Sequence, residues 1–416
     1  MLKKKYSQIF ILTVKVLFTF LIAIYMIIYP QVAFKAALRG LNTWWNIVFP
    51  ALLPFFVISE IFMGLGLVNF LGVLLEPIMR PVFNLPGSSA FAVAVGYTSG
   101  APIGAVLTAK LRKQNLCSKE EASHLMAFTN NASPLFLFGA VAVGMFNNPA
   151  LGSIIAGAHY LANLTVGLIL RFHGNRKSSQ AGFKKSQNKQ ILIKAFRALY
   201  HAHSTDGRPI GKLLGDAVKN SVQTLLLIGG FIIIFSVIIE ILNQLGFLAI
   251  LAKIFSLVLA DLNIEPNLYH ALACGFVEMT IGTKIVSETI ASLEHKLLVT
   301  SLILGWLGLS VHAQAISMVA DTDIDIKPYL FGRILHSALA GFWLIILLKS
   351  KGLTPTTGTR PVLFQAKPWL FSLYSLKNLG VSLLLLLMIA VGGLIINHIK
   401  YTRKILFFTS IYKKNK

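Results

Sequence analysis

Glu278 and Lys284 stand inside an otherwise apolar stretch, Gly275-Phe276-Val277-Glu278-Met279-Thr280-Ile281-Gly282-Thr283-Lys284. Ionisable groups in such a setting are expensive, and where they occur they mark substrate or ion paths. Lys284 offers a charge to an anionic ligand, and Glu278 to a cation or a proton. Being six residues apart, they do not share a straight helix face. Glu288, four residues after Lys284, is the better helical partner, so a structural Lys284–Glu288 pair is the competing reading. Thr280 and Thr283 add hydroxyls to the same stretch. Ser310, His312 and Gln314 form a second polar group in the apolar run that follows. His312 titrates near neutral pH, although a lone histidine is more often simply hydrogen-bonded.

Two uncharged stretches earlier in the chain have matching character. Gly96-Tyr97-Thr98-Ser99-Gly100-Ala101-Pro102-Ile103-Gly104 holds three glycines and a proline in nine residues. That composition breaks a helix. At membrane depth a break must face protein or water, which makes Thr98 and Ser99 candidate ligand groups. Close packing through small residues is the alternative. In Thr129-Asn130-Asn131-Ala132-Ser133-Pro134, Asn130, Asn131 and Ser133 suit the cap of a half-helix starting at Pro134. A half-helix N-terminus presents unpaired N–H groups and partial positive charge, which suits an anion. Bonding to a neighbouring helix is the plainer role for the two asparagines.

Composition says what must hold these residues. Hydrophobic residues make up 55% of the 416 and charged residues 13%. A soluble protein carries about 25% charged residues. The chain therefore reads as a multi-pass membrane protein, and two cysteines exclude a disulfide scaffold. The net charge of +23 sits in loops and tails, as the positive-inside rule requires, so no nucleic-acid partner is implied. Eleven basic residues lie from Arg171 to Lys219, against Asp206 and Asp216 alone.

Ile9–Tyr29 reads as a retained signal anchor, and Gln31–Trp45 as a helix lying in the membrane interface. Apolar segments then fill 46–171 and 220–350, separated by a basic cytoplasmic linker, 172–219, with a short amphipathic helix at Ile191–Tyr200. A loop, a last span and a basic tail occupy 351–416. The two membrane blocks repeat. Leu65-Gly66 recurs as Leu245-Gly246 and Glu60 as Glu240 at an offset of 180, while Gly96/Gly275, Gly104/Gly282 and Ser133/Ser310 follow at 179, 178 and 177. With Lys3–Lys5 inside, the first block enters from outside and the second from inside. Two like units of opposite entry form an inverted-topology pair.

Glu60 and Glu240 read as helix-end residues, and Asp321, Asp323 and Asp325 as a solvated loop rather than a metal site. Neither a P-loop, H-E-x-x-H nor G-x-S-x-G is present, so no enzyme, cofactor or metal is expected.

FPALLPFFVISEIF (49–62), GYTSGAPIGA (96–105) and FTNNASPLF (128–136) resemble the nucleoside-recognition, or Gate, domain family. Within it the chain resembles the YlbJ-type sporulation integral membrane proteins. The resemblance implies an all-α polytopic fold of two Gate-type repeats with broken, re-entrant helices, distantly like concentrative nucleoside transporters. It also implies a role in moving dipicolinic acid across the outer forespore membrane during sporulation. The expected partners are thus a small-molecule anion and the lipid bilayer, with homo-oligomerisation left open. A nucleoside carrier and a non-transporting scaffold are the competing functions.

Overall fold

The computed structural model describes residues 2–172 and 191–350. The greater part of the basic linker, the loop after residue 350, the last expected span and the basic tail lie outside the described residues. Among those described, every regular element is a helix. Five are long and apolar enough to cross a membrane: Pro30–Phe62, Leu151–Leu170, Ile210–Gln244, Leu293–Val319 and Lys327–Lys349.

The residues form two compact units, each drawing on both halves of the chain. The first contains residues 1–60, 135–152 and 210–314. In it α1 (Leu2–Ile28) is followed by α2 (Pro30–Thr43), a π-helical turn at Trp44–Val48 and α3 (Phe49–Gly64), which begins in this unit. The helix runs on across residue 45, from Pro30 to Phe62. The reason is visible in α2. Its Ala33, Ala36 and Gly40 are buried, whereas Phe34, Leu38 and Leu41 of the opposite face stay exposed. The small stripe lies on the long α10 (Ile210–Gln244), where a Cβ on Gly40 would stand 2.9 Å from that of Ser236. Ser236 Oγ donates to the Ala36 carbonyl at 2.7 Å, and Trp44 Nε1 to that of Leu225 at 2.9 Å. Arg39 pairs with Glu240, and Asn220 donates to Glu60 at 3.2 Å. The two matched glutamates are therefore tied to polar partners at helix surfaces. The unit closes with α11 (Phe247–Val258), α12 (Asn267–Val277), α13 (Met279–Glu288) and α14 (Leu293–Trp306).

The second unit contains residues 61–134, 153–209 and those from 315 on. It holds α4 (Leu67–Ile78), α5 (Ser89–Ser99), α6 (Ile103–Lys113), α7 (Lys119–Thr129), α8 (Leu151–Leu170, from Ser153), α9 (Ile191–Asp206) and α16 (Lys327–Ser350). α15 (Gly308–Val319) runs into it from the first unit. Its core is built from Phe83, Leu125, Met126, Phe128, Val166 and Tyr329, among others. The expected amphipathic helix after the linker is α9, six residues longer than predicted. It docks on α4 through the Phe70–Phe196 ring contact, centroids 5.0 Å apart. Gly66, at φ +80, lets the Leu199 carbonyl approach.

Candidate functional site

The breaks expected from composition form where the residues require them. α5 stops at Ser99, because Gly100 takes φ 78 and ψ −165. α6 restarts after Pro102, across a cis Ala101–Pro102 peptide. α7 starts at Ser118 with a capping box shared with Glu121 and ends at Asn130, and the helix resumes at Pro134. The two interruptions pack on each other inside the second unit. Ala101 N–H donates to the Asn131 carbonyl at 2.7 Å. A Cβ on Gly96 or Gly104 would come within 2.5 and 2.3 Å of the Thr129 carbonyl, and only glycine admits the end of α7 there.

The predicted residues at these breaks differ in exposure. Thr98 is exposed, and its hydroxyl returns to the Ala94 and Val95 carbonyls of its own helix. Ser99 and Ser133 are buried. Asn130 and Asn131 are completely buried. Asn130 Nδ2 donates to Tyr329 Oη at 3.1 Å, while its Oδ1 has no partner. The satisfied orientation of the Asn131 amide donates to the Gly96 carbonyl and accepts from Asn163 Nδ2. Asn163 also bonds Tyr97 Oη at 2.9 Å and the Phe128 carbonyl at 2.6 Å.

Beside this amide cluster lies a group not predicted from the sequence. Arg333 of α16 is fully buried. Its Nη2 donates to the Ala127 carbonyl and, at 3.0 Å, to Asn163 Oδ1. Its Nε and Nη1 have no partner, and no carboxylate pairs with it among the described residues. Leaving a buried charge without a counter-charge costs several kcal/mol. Tyr329, Arg333 and His336 recur at helical spacing along α16, and all are buried. On α8, His159 and Asn163 are four apart and also buried. His159 Nε2 accepts from Ala132 N–H at 3.2 Å, and its carbonyl accepts from His336 Nε2 at 2.9 Å. The two imidazoles lie with centroids 4.5 Å apart, tilted at 49°. One signal for this cluster was present in the sequence. An arginine in a 23-residue apolar span is a functional candidate by its position alone.

The other predicted residues belong to the first unit. Glu278 takes extended backbone angles between α12 and α13 and caps α13, with its Oε2 accepting from Ile281 N–H at 2.7 Å. Its Oε1 receives the Ser310 hydroxyl at 3.4 Å. The carboxylate expected to meet a cation or a proton thus occupies a half-helix N-terminus. Lys284 pairs with Glu288 at 2.9 Å, its side chain 27% exposed and the partner's 62%. The helical pairing weighed as the alternative is the one that forms. Thr280, Thr283 and Gln314 are buried, and His312 packs edge-on against Trp306 at 4.3 Å. The three loop aspartates make protein contacts. Asp323 takes Arg112 through both oxygens at 2.8 and 3.0 Å, Asp321 lies 3.8 Å from Lys113, and Asp325 caps Lys327. No group of acidic, histidine and cysteine side chains able to hold a metal occurs among the described residues.

Apolar helices of membrane-crossing length, together with helices interrupted at buried polar residues, define an integral membrane protein of multi-span type. The chain belongs to the Gate family, described as "Nucleoside recognition", whose model matches residues 46–159 and 225–322. It is 45% identical over 343 residues to the sporulation integral membrane protein YlbJ of Bacillus subtilis (strain 168), covering 82% of this chain and 84% of that protein. An uncharacterized protein of Alkalihalophilus pseudofirmus is 30% identical over 91 residues, 21% of this chain and 20% of that one. A solved structure of a CNTnw variant in its intermediate 3 state aligns with a TM-score of 0.42 and 12% identity, over 80% of this chain and 84% of that one. That likeness is too loose to support a mechanism. The chain is a sporulation-type integral membrane protein of the Gate family.

Proposed function

We propose that this protein carries a small organic anion across a membrane during sporulation, with dipicolinate, moved toward the forespore, as the substrate. The supporting observation is the polarity of the paired helix breaks. Asn130, Asn131 and Ser133 are buried with Ser99 beside Gly100–Pro102, and the two asparagine amides bond to a tyrosine hydroxyl, a backbone carbonyl and another amide. Amides, hydroxyls and the N-termini of interrupted helices replace the water around a carboxylate. In the first unit, Glu278 caps a half-helix end and accepts from Ser310. Thr280, Thr283, Lys284, His312 and Gln314 are further candidate substrate groups of that unit, considered by itself.

The test is uptake of labelled dipicolinate by proteoliposomes containing the purified protein. We expect saturable uptake that unlabelled dipicolinate and similar dicarboxylates inhibit. The family description favours a second reading, a nucleoside carrier. Inhibition by uridine or adenosine, with none by dicarboxylates, would establish that reading instead. A folded protein that moves neither class of solute would indicate a scaffold.

A further inference from the structure

We infer that Arg333 is the residue that recognises the substrate's carboxylate, and that Asn163 holds its guanidinium in place to do so. The inference rests on the anion-carrier reading and extends it to a specific charge. A guanidinium carries five N–H donors in a fixed plane. Here Nη2 is used by the Ala127 carbonyl and by Asn163 Oδ1, while Nε and Nη1, three of the five donors, meet no protein acceptor although the side chain is 0% exposed.

The surroundings do not supply the missing charge. Arg80 pairs with Glu121, Arg112 with Asp323 and Arg208 with Asp206, so three other arginines of this unit have carboxylates. Arg333 has carbonyl and amide oxygens, with the Tyr329 ring 5.9 Å from its Cζ. It lies six residues into the Lys327–Lys349 span, about 9 Å along the helix. From such a position a lipid-facing arginine extends toward the membrane surface. This one instead turns inward and is held there by two hydrogen bonds.

The neighbouring polar atoms point the same way. His159 accepts Ala132 N–H at Nε2, so the neutral ring carries its proton on Nδ1, which has no partner. His336 gives its Nε2 proton to the His159 carbonyl. Arg333 and His159 are thus unsatisfied donors, with the Tyr329 and His336 rings and the Asn130–Ser133 break as neighbours. A planar aromatic carboxylate matches that chemistry: oxygens for the guanidinium, and a ring for the aromatic groups. A buried water would satisfy the same N–H groups and would leave the charge uncompensated.

The experiment is binding to the purified full-length protein in detergent, read by calorimetry and by ligand-induced melting shift. The probes are dipicolinate, picolinate and the uncharged pyridine-2,6-dicarboxamide. Wild type should bind both carboxylates and discriminate against the diamide. Arg333→Gln should lose on the order of 100-fold in dipicolinate affinity, the usual scale for removing one partner of a buried charge pair. Arg333→Lys should retain part of the binding, since charge survives and the planar fork does not. Because Arg333→Gln can also fail to fold, Asn163→Asp provides a second test. It places a carboxylate against the guanidinium, and the folded variant should no longer bind dipicolinate.

Wild-type affinity in folded Asn163→Asp and Arg333→Lys proteins would overturn the assignment, as would a wild type that binds neither carboxylate. The anion-carrier reading fails separately. Carboxylate binding that depends on Arg333, with no flux in liposomes, leaves the assignment standing and removes transport. Dipicolinate flux that is equal in wild type and Asn163→Asp leaves transport standing and removes Arg333.

Discussion

At the scale of single residues, the structure separates side chains that are already satisfied from those that are not. Lys284 and Glu288 form a half-exposed i, i+4 pair, and such pairs contribute about 0.3–0.5 kcal/mol. Lys284→Ala should therefore leave the melting temperature in detergent nearly unchanged. A transport loss beyond a few-fold in that folded variant reports contact with substrate, which is the outcome we expect. Glu278 is different, because its carboxylate caps α13 at the Ile281 amide. Glu278→Ala should cost about 1–2 kcal/mol on melting, the scale of a lost cap. Glu278→Gln keeps an acceptor oxygen and should lose less. If Glu278→Gln melts like wild type yet transports nothing, the carboxylate also serves a coupled cation or proton.

At the scale of elements, the breaks depend on glycine where another backbone approaches. Gly104→Ala would drive a methyl to 2.3 Å from the Thr129 carbonyl, which belongs to a helix end that cannot yield without moving. We expect at least about 2–3 kcal/mol of destabilisation, the scale of overpacking in a rigid core. Gly230→Ala is the control. Nothing lies within 4 Å of the added methyl, and alanine in a helix interior gains up to about 1 kcal/mol over glycine. Thermal melts of the two variants should move in opposite directions.

A second element-scale device is the ion pair joining the end of α6 to the α15–α16 loop. Hydrogen bonding to Arg112 holds the Asp323 carboxyl below its ordinary range. A depressed carboxyl pKa contributes stability that is present above the unfolded value, near 3.9, and is lost as pH falls through the folded one. The wild-type melting temperature should thus fall below about pH 4 more steeply than that of Asp323→Asn.

At the scale of the whole molecule, topology follows from how the repeats enter the membrane. The Gate model matches two separate stretches, 46–159 and 225–322, consistent with the offset of about 180 read from the sequence. The proposed inverted arrangement puts the start of the first repeat outside and that of the second inside. Cys117 and Cys274 are buried free thiols, so introduced cysteines can be labelled in the background lacking them. Cysteines placed at Asn46 and at Lys219, both exposed, should react with impermeant reagent from opposite faces. Labelling from the same face would rule out the inversion.

Much of this architecture was legible in the sequence because it follows from local composition. Low charge and long apolar runs dictate membrane helices. Gly100 and Pro102 interrupt one of these, and the Asn130–Pro134 turn another, since no neighbour can restore what those residues remove from a helix. Even the Lys284–Glu288 pair is a matter of four-residue spacing. The α2 surface was not legible. The sequence suggested a helix lying in the membrane interface and did not show that Ala33, Ala36 and Gly40 pack on α10, where small residues let two backbones approach. Nor could spacing show the cluster around Arg333. Asn130, Asn163 and Arg333 lie on α7's end, α8 and α16, far apart in the chain, and only tertiary packing sets a guanidinium against an asparagine oxygen 170 residues away. A helix or its break is decided by what adjacent residues do to the backbone. Whether a buried charge finds a counter-charge is decided by which distant segments surround it.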